Sequence, residues 1–360
     1  MRKFNYFRSL FLAVTLITSS LAFTSCDDDS DSPSGAYAED GVFVLNEGNF
    51  GTPNGSISYY NNGSQEVQNE IFQSENNRIL GDVIQNMIIH GDRAFIVANN
   101  SNKVEVVNAY TFKSLGTTEG LESPRYFVAL NDDKGYVTEW VTYGLPGQVS
   151  VIDLNTYTVT KTITVGAVPE QLLLHNGKLY VANSGGKTVS VINTSTDAVE
   201  TTIDVTDEPN SLQLDRNNNL WVLSSGTKAY DPWPEINEAQ STAGALTKIN
   251  TSSNAVMATI TFPKVAATAS KLLTNGAKDK LYFIYDDQVY RQDASSTTFT
   301  ATAIIDRSFY GLGVDPETGN IYGGDDNGFA PDGTVYIYDA NGNQLSTFRV
   351  GVGPNGFVFR

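Results

Sequence analysis

A short alternating strand motif occurs seven times along the chain, and no other feature limits the fold so strongly. The copies start at Ile57, Val104, Val149, Val189, Leu246, Val289 and Val335, and successive starts lie 40 to 57 residues apart. A period of roughly 40–50 residues built only from strands is typical of propeller blades. A single blade cannot bury both of its faces, so the repeat predicts a closed ring of blades.

The two ends of the chain predict how this ring closes. Residues 353–360 have the pattern of an inner strand that no further strand follows. Residues 41–46 have the pattern of a second strand that lacks an inner partner. Pairing the two segments would complete one blade and remove an exposed sheet edge. We therefore predict an all-β fold over residues 41–360: a seven-bladed β-propeller with four-stranded blades, closed by pairing of the C-terminal strand with the N-terminal blade.

The charge balance argues against two classes of partner. The chain has a formal charge of −17, and 18% of its residues are charged. Nucleic acids and anionic lipid surfaces both require basic patches. We therefore expect no nucleic-acid partner. The hydrophobic content of 40% is enough for a sizeable core between blades.

The first 25 residues have the pattern of a lipoprotein signal peptide. Met1–Arg8 is basic, Leu10–Leu21 is a short apolar segment, and small residues precede Cys26, the only cysteine of the chain. A lone cysteine at a cleavage site predicts lipidation of Cys26 and attachment to a membrane through that lipid. The alternative is an ordinary secreted protein with one unpaired cysteine.

Residues 26–40 are predicted to tether the propeller to this lipid. Asp27–Asp31 is an acidic run that follows the cysteine directly. Such a run is expected to be solvated in any case. It also resembles the surface-export tag of lipoproteins in certain Gram-negative anaerobes. We predict an outer-membrane protein facing the cell exterior, with the periplasmic face as the alternative.

The loops of a propeller fall on two faces, and the sequence makes the two faces different. Loops between second and third strands share one face with the segments that lead into the inner strands, and this loop-rich face carries both long insertions, residues 138–148 and 225–245. Function is concentrated in elaborated loops on a rigid scaffold. The candidate ligand-binding residues on this face are Phe50, Arg78, Arg125, Tyr126, Glu139, Trp140, Tyr143, Tyr230, Trp233, Tyr285, Arg307, Phe309, Tyr310, Asp325 and Phe329. Aromatic platforms beside amides and a few charges suit a broad, amide-bearing ligand or a protein partner.

Catalytic and metal-binding patterns are poor, so we expect no enzyme, no catalytic cofactor and no metal site. His90 and His175 both end an inner strand, which places them on the opposite face. The segment Asp215–Asn219 begins like a calcium loop, but Leu220 stands where that loop requires glycine. No spacing of His, Cys and carboxylates matches a zinc site.

The strands themselves resemble those of a known group of propellers. Tyr180–Asn183, Ile96–Asn99 and Tyr136–Glu139 each lead to a Val-x-Val-Ile-Asp-like strand. In this they are similar to the YVTN or YncE-like seven-bladed propellers over about residues 41–360. That group includes surface-layer proteins and varied binding proteins, so the fold alone does not name a function.

A narrower resemblance implies a ligand. The candidate lipidated Cys26, the acidic run and the opening segment Gly41–Phe50 together resemble the BtuG-type surface lipoproteins. That resemblance implies cobalamin or another corrinoid as the bound ligand and a BtuB-type TonB-dependent transporter as the partner that receives it. The phosphate of such a ligand would suit Arg78, Arg125 or Arg307.

Two other functions remain open at this point. Aromatic platforms could stack on sugar rings, which is typical of a structural, adhesive or glycan-binding surface protein. A propeller lyase or lactonase with a central metal is the other alternative.

Overall fold

The computed structural model describes residues 34–330 and 332–360, and the propeller is confirmed there. Seven antiparallel sheets of four strands each form the blades. The inner strands are β4 (Ile84–His90), β8 (Pro124–Ala129), β12 (Pro169–His175), β16 (Pro209–Leu214), β20 (Ala269–Thr274), β24 (Gly311–Val314) and β28 (Pro354–Phe359). The second strands are β1 (Gly41–Asn46), β5 (Arg93–Ala98), β9 (Lys134–Glu139), β13 (Lys178–Asn183), β17 (Asn219–Ser224), β21 (Lys280–Tyr285) and β25 (Ile321–Asp325).

The remaining strands complete each blade toward its outer edge. The third strands are β2 (Ser56–Asn61), β6 (Lys103–Asn108), β10 (Pro146–Asp153), β14 (Thr188–Asn193), β18 (Ala243–Asn250), β22 (Gln288–Asp293) and β26 (Thr334–Tyr338). The outer strands are β3 (Val67–Gln68), β7 (Ser114–Thr118), β11 (Thr158–Ala167), β15 (Ala198–Asp204), β19 (Ala255–Val265), β23 (Thr302–Ile305) and β27 (Gln344–Arg349). All seven predicted motif copies lie on the third strands.

Burial changes across a blade as a ring of packed blades requires. We number the blades in chain order, so that blade 1 contains β28 and β1–β3, blade 2 contains β4–β7, and each following blade takes the next four strands. In blade 4, the second strand β13 is buried at five of six positions, whereas the outer strand β15 is exposed at six of seven. The buried apolar faces of neighbouring blades meet, for instance where Val151 and Ile163 of blade 3 pack against Val181 of blade 4. Continuous burial of the second and third strands therefore supplies the core between blades.

The predicted ring closure is also confirmed. Strand β28 pairs antiparallel with β1, with Phe359 opposite Val42 and Phe357 opposite Val44. The first blade thus takes its inner strand from the C terminus and its other strands from the N terminus. No strand pairing outside Ser34–Arg360 is needed to complete the ring, and these residues form one compact unit.

Two local features extend what the pattern predicts. A short helix, α1 (Ile71–Asn76), follows the two-residue strand β3 and buries Ile71 and Phe72. Tyr37, in the segment predicted as tether, is buried against Phe43 and Phe112 at ring-centroid distances of 6.5 and 5.7 Å. The packed unit therefore begins before the first strand.

Candidate functional site

A cavity of about 520 Å³ opens at the centre of the loop-rich face. It is lined by loops and inner strands of blades 1, 2, 3, 6 and 7. This volume lies within the range of roughly 300–1,000 Å³ that is usual for small-molecule sites. A narrower channel of about 160 Å³ continues along the inner strands and shares Gln85, Tyr126, Lys271 and Asn355 with the cavity.

Six of the predicted site residues line this cavity. They are Phe50, Arg125, Tyr126, Trp140, Phe309 and Tyr310. Phe50 stands free at the rim with 80% of its surface exposed, whereas Phe309 is largely buried between blades. Burial, with the nearby Glu170 charge adding to it, raises the pKa of Tyr126 to about 12, so its hydroxyl stays protonated as a hydrogen-bond donor at neutral pH.

Two further predicted residues pack against these aromatic walls. Tyr143 meets Trp140 edge-on with ring centroids 5.7 Å apart. Phe329 meets Tyr310 in the same way at 5.1 Å. Each contact fixes the orientation of a cavity-lining ring, because edge-to-face pairs are favoured by the ring quadrupoles.

Arg125 is held in place by a buried partner from the next blade. Its guanidinium forms an ion pair with Glu170, with Nη2 and Oε1 3.1 Å apart, and lies 4.2 Å from the Trp140 ring centroid. Burial raises the pKa of Glu170, although the Arg125 charge opposes this shift. The cluster therefore orients Trp140, and the charge of Arg125 is largely balanced within the protein.

The other two predicted arginines lie outside the cavity lining. Arg78 pairs with the fully buried Glu105, with Nη2 and Oε1 2.5 Å apart. Arg307 pairs with Asp325, and its guanidinium lies 3.9 Å from the Tyr336 ring centroid. Both arginines are therefore occupied in contacts within the propeller.

Glu139 and Tyr285 are buried in the protein rather than presented to the cavity. Glu139 accepts hydrogen bonds from the Ser150 hydroxyl and from Gln148 Nε2 at 3.2 Å. Burial raises the pKa of Glu139. Tyr285 is 2% exposed, and its hydroxyl accepts a hydrogen bond from the Lys264 amide at 2.9 Å. A ligand would have to displace these contacts to reach either side chain.

Tyr230 and Trp233 occupy the long loop between β17 and β18, outside the cavity lining. A bridge between Tyr230 and Ile236 closes a small hairpin at the tip of this loop. Trp233 is 76% exposed. Its ring is available to a partner that approaches the whole face.

Glu47 and Lys271, which were not among the predicted site residues, complete the cavity together with Asn355, a polar residue of the loop-rich face. Glu47 accepts hydrogen bonds from the Tyr310 hydroxyl at 2.6 Å and from Asn355 Nδ2 at 3.0 Å. Lys271 Nζ donates to the Asn355 carbonyl oxygen at 2.8 Å. Burial and the Glu47 carboxylate raise the pKa of Tyr310, so its hydroxyl keeps the proton that it donates to Glu47. Aligning the repeats could have found Lys271, because it stands in the same inner-strand column as Tyr126.

The histidines and the calcium-like segment lie elsewhere. His90 Nε2 is 2.9 Å from Asp132 Oδ1, and His175 Nε2 is 2.9 Å from Asn176 Nδ2, in turns that do not line the cavity. Asp215 accepts hydrogen bonds from the Asn217 and Asn219 amides, both at 2.9 Å, and so shapes a turn. In the part of the chain that the structure describes, no group of three or more His, Cys, Asp and Glu side chains could hold a metal ion.

The predicted signal peptide and Cys26 lie outside the described residues, as does most of the predicted tether. Among residues 34–330 and 332–360, no helix has the length and apolar character needed to cross a bilayer.

Comparison with known proteins gives a family and a fold. Residues 40–359 match a family described as "Domain of unknown function (DUF5074)". No curated protein sequence matches the chain. A quinonprotein alcohol dehydrogenase-like protein from Bacteroides thetaiotaomicron is 13% identical and superposes with a TM-score of 0.68, over 90% of this chain and 78% of that one.

Two lactonase structures are similar to a comparable degree. The periplasmic gluconolactonase of Pseudomonas aeruginosa is 11% identical, with a TM-score of 0.64 over 89% of this chain and 98% of that one. A putative 6-phosphogluconolactonase from Bacteroides fragilis is 12% identical, with a TM-score of 0.66 over 91% and 99%. Identities this low show a common fold and leave the activity open.

Proposed function

We propose that this chain, which belongs to the DUF5074 family, is a cell-surface lipoprotein that binds a corrinoid in its central cavity. In this proposal it passes the corrinoid to a TonB-dependent outer-membrane transporter of the BtuB type. The observation that carries the proposal is the cavity itself, in which aromatic walls, amides and charged groups converge on the loop-rich face. Binding proteins use pre-formed clefts in which a few placed polar groups orient the ligand.

The chemistry of the cavity suits a corrinoid. A corrinoid is a broad disc edged with amides and methyl groups, and it carries a nucleotide loop with a phosphate. Gln85, Asn99 and Glu47 offer hydrogen-bond partners to amides, and Trp140 and Phe50 offer apolar surface to the disc. The volume of about 520 Å³ would admit one edge of the ligand and leave the rest across the rim.

The rigidity of the site favours tight binding. The cavity rests on inner strands of a closed ring, and Arg125 and Tyr310 are already held by Glu170 and Glu47. A pre-ordered site loses little conformational entropy when it binds its ligand.

The proposed location and hand-off rest on the N-terminal sequence. The basic and apolar leader and Cys26 support lipidation, and the acidic run Asp27–Asp31 supports export to the outer surface. A surface site could load a transporter in the same membrane directly. The exposed Trp233 and Tyr230 lie on the face that would meet it.

Calorimetry of the 34–360 unit with cyanocobalamin tests the proposal. We expect saturable heat at micromolar concentrations, a loss of about tenfold or more in affinity for Trp140→Ala, and no loss for His90→Ala or His175→Ala. The tryptophan change removes a wall of the cavity, whereas both histidines lie away from it. An absence of heat with wild type, or an equal loss from the histidine changes, would exclude this site.

Exposed aromatic rings support a second candidate function, a glycan-binding or adhesive surface protein. Tyr143 and Trp233 are 77% and 76% exposed, and such rings stack on sugars. A glycan array probed with the same unit tests this reading. Glycan binding without corrinoid binding would favour it over the corrinoid proposal. The central-metal lactonase remains an alternative for a fold shared with lactonases.

A further inference from the structure

Lys271 lies deep in the cavity, at the point where the cavity meets the narrower channel. It lines both spaces and belongs to the inner strand β20. The pairing of β20 with β21 shifts register between Ser270 and Leu273, so Lys271 sits in a β-bulge. Bulges next to binding sites re-aim side chains that regular pairing would place elsewhere.

The backbone at Lys271 is strained in a way that other strand positions are not. Its φ is 59°, in the left-handed region. Among the strands that the structure describes, no other residue except glycine has a positive φ within a strand. Non-glycine residues keep this conformation only where their surroundings enforce it, and such positions concentrate at ligand sites.

Lys271 is partly buried, and its ammonium group has no carboxylate partner in direct contact among residues 34–330 and 332–360. Within the described residues, no carboxylate oxygen lies within 4.0 Å of Nζ. Its protein contacts are the Asn355 carbonyl oxygen at 2.8 Å and the Tyr310 ring, whose centroid lies 6.0 Å away. Burial lowers the pKa of Lys271, while the charges of Glu47 and Glu170 oppose the shift. A positive charge in such a place gains more from an anion than a solvated lysine does.

The arginines predicted to bind a phosphate differ from Lys271, because each already has a carboxylate partner. Arg78, Arg125 and Arg307 each form an ion pair with a carboxylate of the propeller. A ligand anion at any of them would compete with that carboxylate. At Lys271 it would instead take a position that no carboxylate of the described residues occupies within 4.0 Å of Nζ.

We infer that Lys271 is the anion-binding position of the cavity and takes a carboxylate or phosphate group of the ligand. The inference deepens the proposed function, on which it rests for the identity of that group: in cobalamin the group is the phosphate of the nucleotide loop. The chemistry of Lys271 applies equally to any other ligand that presents an anion next to an apolar body.

Small aromatic probes test the position without a corrinoid. We expect phenyl phosphate and benzoate to bind wild type in ligand-observed NMR titrations at least about tenfold more tightly than benzamide, which has the same ring and no charge. Lys271→Met should remove this preference, and Lys271→Arg should retain most of it.

Lys187→Met is the matched control, because Lys187 is an exposed lysine on the same face outside the cavity. Equal binding of benzamide and benzoate, or an unchanged preference in Lys271→Met, would overturn the inference. Thermal unfolding of each variant checks that it is folded.

Two corrinoids then separate this inference from the proposed function. Cobinamide lacks the nucleotide loop and its phosphate. We expect Lys271→Met to weaken cyanocobalamin binding about tenfold or more and to leave cobinamide binding unchanged. An equal loss for both corrinoids would overturn the assignment of the phosphate to Lys271. If neither corrinoid binds while the aromatic anions still require Lys271, the corrinoid function fails and the anion position stands.

Discussion

At the scale of single residues, the structure separates side chains that a loop pattern cannot distinguish. Glu139 is the last residue of its second strand, as Asn46 and Asn183 are of theirs. Asn46 Nδ2 and Asn183 Nδ2 each donate to a serine of the adjacent third strand, Ser58 and Ser190, both at 2.9 Å. Glu139 makes the corresponding contact with the Ser150 hydroxyl. The end of a second strand is thus a structural position of the repeat.

Ion pairs within the propeller account for the arginine predictions. The sequence shows which face carries Arg78 and Arg307. Their ion pairs with Glu105 and Asp325 join residues that are far apart in the chain, so the pattern does not predict them. Contacts of this kind arise only when the blades pack. For the same reason, Lys271 could be found in the repeat alignment but not recognised as lacking a carboxylate partner.

Glu105 gives a prediction on stability and pH. Burial alone would raise its pKa, but hydrogen bonds from Arg78, Ser114 and Lys103 outweigh burial, and the net pKa is lowered. Such a group stabilises the folded state above its ordinary pKa of about 4.3, and this contribution is lost as the pH falls through the lowered value. We expect Glu105→Gln to reduce the free energy of unfolding at pH 7 by about 2 kcal/mol.

Urea unfolding between pH 3 and pH 7 measures this effect. The difference between wild type and Glu105→Gln should shrink as the pH falls below the ordinary value, because the unfolded wild type then binds a proton at Glu105 that the folded protein does not bind until lower pH. Glu119→Gln, at an exposed position nearby, is the control and should change little at any pH. A constant difference across the range would contradict the assignment.

At the scale of the strand, most inner strands depart from regular pairing. Register shifts interrupt β4, β8, β12, β16 and β20 close to their first residues. The alternation of apolar and polar residues predicts the strands and their order but not these bulges, because a bulge changes the register without changing the composition. The side chains that face the cavity therefore could not be read from periodicity alone.

The strained position in β20 predicts a trade-off between stability and binding. A left-handed φ costs a non-glycine residue about 1–2 kcal/mol, and glycine adopts it freely. Lys271→Met and Lys271→Gly both remove the charge, and only glycine relieves the strain of the left-handed backbone. We expect the free energy of unfolding of Lys271→Gly to be about 1 kcal/mol higher than that of Lys271→Met. Neither variant should show the preference for anions.

Chemical denaturation of the two variants side by side measures this difference. If Lys271→Gly is the less stable of the two, the flexibility of glycine in the unfolded state outweighs the strain at this position. That result would contradict the expectation that the strain lowers the stability of the protein.

At the scale of the whole molecule, the features that repeat were predictable and those that occur once were not. The number of blades, their four strands and the pairing of β28 with β1 follow from a pattern that seven copies reinforce. The helix α1 and the burial of Tyr37 occur once each and depend on the space left between blades. The candidate site is of the second kind, because five different blades each contribute their own residues to it.

A closed ring also predicts how binding should affect the molecule. Each blade packs between two neighbours, and the C-terminal strand fixes the ring, so a ligand in the cavity has no hinge through which to move the opposite face. We expect hydrogen–deuterium exchange with saturating cyanocobalamin to show protection in residues 123–126, 139–143 and 268–271. The turns at residues 175–178 and 216–219, on the opposite face, should exchange at the same rate with and without ligand, because local opening there involves none of the groups that a ligand orders.

The same experiment on Trp140→Ala at the same ligand concentration is the control and should show weaker protection in all three segments. Protection of the opposite turns would mean that the ligand binds there or that the ring responds as a whole, and either result would contradict a rigid scaffold with a single binding face.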